Sequence, residues 1–96
     1  MRIKIDSTQK LGQLVRAVRK EQGVRLDDTA GSVGVSENFL SKLERGGERI
    51  QLGKVMTVLN ELGIALYADV TEAAALRFEH TGASSPDQKS RKGNSQ

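Results

Sequence analysis

The chain has no cysteine, a single histidine, only three aromatic residues and no apolar run long enough to cross a bilayer. Without cysteine, neither disulfides nor thiolate metal sites are available, and nothing points to an oxidising compartment. His80 alone has few partners for a metal site, so none is expected. The N-terminus carries no signal-like apolar stretch, so the expected location is cytoplasmic, with no membrane partner. With Phe39, Tyr67 and Phe78 as the whole aromatic complement, the core has to be aliphatic. Catalytic groupings are missing too. The serines have no accompanying base, and no Walker-type lysine and serine follow Gly46-Gly47, so neither an enzyme nor a cofactor is expected.

What is present fits one domain. At 96 residues a single core is marginal, which favours oligomerisation. The formal net charge is only +3, compatible with phosphate binding but common in proteins that never meet nucleic acid. Distribution says more: Arg16, Arg19, Lys20, Arg25, Lys42, Arg45, Arg49 and Lys54 all fall in the part with helical periodicity.

Ser7 and Thr8 offer a cap for a first helix in which Leu11, Leu14, Val15 and Val18 recur at helical spacing up to Gly23. Two short helices follow, over residues 26–33 and 36–45. Ala30 is small enough for a close helix crossing, Gly34 can leave the helix in a left-handed conformation, and the Ser36 hydroxyl can cap the next helix. Val33, Val35, Leu40 and Leu43 fill the wedge, leaving Glu37, Asn38, Ser41 and Lys42 outward. This is a helix-turn-helix pattern, although two amphipathic helices of an ordinary bundle would share much of it. A fourth helix places Leu52, Val55, Met56, Leu59 and Leu62 on one face and stops at Gly63. Residues 64–70 switch to period two, with Ile64, Leu66 and Val70 on one side. They predict a strand, which needs a partner outside its own chain; a short fifth helix is the alternative. Residues 72–79 can form a helical turn or two. Residues 81–96 lack aliphatics beyond Ala83 and predict disorder. The expected organisation is a helix-turn-helix and dimerisation domain over residues 1–70 and a flexible tail over 71–96.

On Ala30, Val33, Gly34-Val35-Ser36, Leu40-Ser41 and Leu43-Glu44-Arg45-Gly46, residues 8–63 resemble the Xre group of lambda-repressor-like DNA-binding proteins. Within that group the chain is most similar to HipB-type antitoxins, through Ser7 to Leu11, Ala17-Val18-Arg19, and the order of fourth helix, Leu62-Gly63 and extended segment. The resemblance implies a mostly α fold: a bundle of about four helices plus a C-terminal strand that pairs across a homodimer. It also implies an ion pair between Arg19 and Glu44. Glu37, Asn38 and Lys42 would face base edges of double-stranded DNA at a palindromic operator, and Ser36, Ser41, Arg45 and Arg49 would contact phosphates. Antitoxins of this type repress their own operon and bind a HipA-type serine/threonine kinase toxin.

The chain departs from the family at the start of the second helix. Where a Thr-Gln pair is usual, it has Arg25 and Leu26, followed by Asp27 and Asp28; Thr29 stands where an aliphatic is usual. Leu26 offers no polar contact to a phosphate, so Arg25 is the substitute candidate. Two alternatives to an antitoxin stay open: a stand-alone Xre-type regulator without a toxin, and a structural adaptor that has lost DNA binding.

Overall fold

In a computed structural model, residues 1–81 are described. They contain five helices: α1 (Thr8–Glu21), α2 (Leu26–Val33), α3 (Glu37–Glu44), α4 (Leu52–Leu62) and α5 (Glu72–His80). The chain divides into two compact units, the first Met1–Ala65 and the second starting at Leu66.

Helices α1 to α4 form the first unit around an aliphatic core of Val15, Ala30, Leu40, Leu43, Val55, Val58, Leu59 and Leu62. Capping sets the helix starts. The Ser7 hydroxyl accepts from the Lys10 amide and the Ser36 hydroxyl from the Phe39 amide, each at 3.0 Å. Gly34 ends α2 at φ 78°, a left-handed conformation that costs a residue with a Cβ, and the Val35 amide then donates back to the Ala30 carbonyl at 3.0 Å. Ala30 is fully buried at the crossing. The Gln22 side chain ties α1 to the end of α4 by donating to the Leu62 carbonyl at 2.9 Å.

Three expectations are not met in the single chain. Helix α4 turns Val58 inward in place of Leu52 and Met56, which are exposed. At 100° per residue, positions 52 and 56 fall outside the arc that 55, 58, 59 and 62 share, 52 just past its edge and 56 further round. Second, residues 64–70 form no strand in the single chain, where no strand occurs among the described residues. A ladder needs a second strand, and the single chain supplies none. Ile64 packs on the core, but Leu66 and Val70 remain more than half exposed. Third, the helical turn or two expected near residue 72 is a nine-residue helix, giving five helices and not about four. The Thr71 hydroxyl caps α5 by accepting from the Ala74 amide at 3.1 Å, although α5 has no buried residue. The disorder expected for residues 82–96 lies outside the described residues.

Candidate nucleic-acid interface

The turn between α2 and α3 leaves one face of α3 polar and open. Glu37, Asn38 and Lys42 are exposed, while Leu40 and Leu43 on the opposite side enter the core. Glu37 lies in the first turn, where a carboxylate also suits the helix dipole. Ser36 is occupied as the cap of α3. Ser41 is half-buried, and its hydroxyl accepts from the Arg45 guanidinium at 2.5 Å, so Arg45 folds back along the helix it follows. Arg49 is exposed in the loop between α3 and α4. Phe39, half-buried against the core, carries the Lys54 ammonium 5.8 Å from its ring centre.

Helix α3 is fixed to α1 by a buried, two-pronged ion pair. Arg19 Nε donates to Glu44 Oε2 at 2.6 Å and its second terminal nitrogen to Oε1 at 3.0 Å. A third bond runs to the Val24 carbonyl at 2.9 Å. The Glu44 hydrogen bonds raise the Arg19 pKa beyond its already high ordinary value, against the opposing effect of burial. A bidentate pair constrains direction as well as distance, so it sets the roll of α3 relative to α1.

Glycines complete the seating, a role that sequence reasoning missed. A Cβ on Gly12 would lie 2.4 Å from the Leu43 carbonyl oxygen and 2.6 Å from that of Glu44, so α1 meets the end of α3 with no room for a side chain. Gly12 left one signal, an isolated glycine inside an amphipathic helix, where it costs stability unless packing demands it. Gly46 turns at φ 87°, and a Cβ there would come within 2.9 Å of the Gln9 Cα. A Cβ on Gly47 would lie 2.6 Å from Lys42 Cγ, so this glycine makes space for the lysine stem.

The start of α2 is acidic, and its arginine is paired at the surface. Arg25 donates to both carboxylate oxygens of Asp27, each at 3.0 Å, and the Asp27 carboxylate also accepts from the Asp28 amide at 2.8 Å. These hydrogen bonds raise the Arg25 pKa and hold the Asp27 carboxyl below the ordinary carboxylate range. Nearby, the Thr29 hydroxyl is buried without a hydrogen-bond partner, where an aliphatic would fit without that cost.

A family profile described as a helix-turn-helix domain matches residues 10–76. The uncharacterized HTH-type transcriptional regulator y4mF of Sinorhizobium fredii is 48% identical over 56 residues, 58% of this chain and 74% of that protein. The HTH-type transcriptional regulator DdrOP3 of Deinococcus deserti is 32% identical over 77 residues, 80% of this chain and 59% of its own length. Among solved structures, a chain of a HipA-HipB-O2-O3 complex has a TM-score of 0.67 at 21% identity, covering 74% of this chain and all of that one. A chain of a HipB-O4 20mer complex has a TM-score of 0.66 at 20% identity, with the same coverage. At these identities the structural likeness is one of fold. No helix among the described residues is long and apolar enough to cross a membrane. The chain belongs to the Xre-type helix-turn-helix family and has a HipB-like fold.

Proposed function

We propose that this chain is a sequence-specific DNA-binding transcriptional repressor that reads operator bases with α3. The observation that carries this reading is the exposed set Glu37, Asn38 and Lys42 on a helix whose other side is locked by Arg19–Glu44 and the buried Leu40 and Leu43. Asn38 suits the paired donor and acceptor of adenine, Lys42 the guanine acceptors, and Glu37 the cytosine amino group. Ser36, Ser41, Arg45 and Arg49 flank this set as phosphate contacts. One recognition helix per chain fits a homodimer on a palindrome with half-sites about 34–36 Å apart. Residues 64–70 supply the dimer strand through Ile64, Leu66 and Val70. Residues 1–70 then act as the binding and dimerisation part, in the cytoplasm.

The HipB-like fold supports a narrower assignment: the antitoxin of a toxin–antitoxin operon that represses its own transcription and binds a HipA-type kinase. Co-purification with the product of the adjacent reading frame tests it; a frame without a kinase, or failure of the two products to associate, contradicts it. The second reading, a stand-alone regulator, is favoured by the two relatives with the higher sequence identity, both named as transcriptional regulators.

A further inference from the structure

We propose that Arg16 of α1, together with Arg45, holds a DNA backbone phosphate beside α3, in place of a contact at the start of α2. This rests on the DNA-binding reading above and assigns α1 a part in it.

A groove between α1, α2 and α3 is lined by Arg16, Arg19, Leu26, Ser41, Glu44 and Arg45. Arg19 and Glu44 neutralise each other in its wall. Among the described residues, Arg16 and Arg45 have no acidic partner, and the Arg16 guanidinium enters no hydrogen bond or ion pair. The groove therefore presents two guanidinium groups without a carboxylate partner among the described residues, that of Arg45 also donating to the Ser41 hydroxyl, a donor set that suits a phosphodiester. Its position decides the occupant. Ser41 and Arg45 flank Asn38 and Lys42 on the helix that would enter the major groove, so a backbone strand at that groove's edge passes this side of α3.

The neighbouring candidate is less favourable to that strand. The guanidinium of Arg25 faces Asp27 in a two-pronged surface ion pair, Asp28 adds a second negative charge, and Leu26 offers no polar side-chain atom. A phosphate near the α2 start meets repulsion that opposes the helix dipole. Leu26 instead contributes an apolar wall to the groove, which leaves Arg16 as the cation on the α1 side.

The test is a salt titration of binding by the full chain to two duplexes, one selected from a random library by the wild type and one of unselected sequence. Arg16→Gln is expected to weaken binding to both duplexes alike and to reduce the slope of log K against log salt by less than about 1, because Arg45 still faces the phosphate. Adding Arg45→Ala to Arg16→Gln is expected to bring the total loss to about 1, because both cations serve one phosphate. Arg25→Ala is expected to leave the slope unchanged. Thermal melting of each variant verifies the fold, and Arg16→Lys, which keeps the charge, is expected to restore most of the slope. An unchanged slope in Arg16→Gln, a loss of about 2 in the double variant, or a lost slope in Arg25→Ala overturns the proposal while the DNA-binding reading stands. A wild-type chain that binds neither duplex overturns both.

Discussion

Arg19 stays charged while buried because Glu44 and the Val24 carbonyl meet its guanidinium with three hydrogen bonds. Removing one partner of such a pair strands a charge away from water. Glu44→Ala is therefore expected to cost about 3–5 kcal/mol in urea unfolding. The double variant Arg19→Ala/Glu44→Ala is expected to lose much less than the sum of the two single variants. Additive losses would mean that the two side chains stabilise the fold independently. The sequence pointed to this pair only through the family resemblance, since 25 residues separate its members and no periodicity relates them. The bond to Val24 was illegible for another reason: a backbone carbonyl has no residue type to betray it. Thr29 was noticed as unusual, but its burial without a partner depends on packing that the sequence does not display.

Helix α3 is set by its two ends and by the helix beneath it. Ser36 and Gly34 were legible because capping and left-handed turns demand particular residue types. The seat beneath α3 was not, because the surface that Gly12 touches consists of the backbone carbonyls of Leu43 and Glu44. Gly12→Ala puts a methyl group against rigid backbone, and the expected loss is about 1–3 kcal/mol despite the better helix propensity of alanine. Thermal melting measures it, and a variant melting at or above the wild type would contradict the close approach of α1 to α3. Period alone misplaced Leu52 and Met56 on α4 because a stripe five residues wide fits more than one rotation of the helix. It also marked residues 64–70 as a strand without being able to supply the partner that a strand requires. Helix α5 was underestimated because its residues bury nothing, so no apolar stripe announced it.

The core of the first unit lies wholly within Met1–Ala65, yet Leu52 and Met56 in that unit, and Leu66 and Val70 in the second, stay exposed. If residues 64–70 form the dimer strand, Leu66→Asp places a charge in the interface and is expected to yield a folded monomer in sedimentation at micromolar concentration, with operator affinity lost in parallel. A dimer of unchanged stability would move the interface elsewhere. The central claim is that α3 reads sequence, and one measurement tests it most directly: the affinity of Asn38→Ala for a selected duplex and for an unselected one, at a single salt concentration. The prediction is a loss of about 1–3 kcal/mol on the selected duplex with little change on the unselected one. Equal losses on both, in a variant that melts like the wild type, would contradict it.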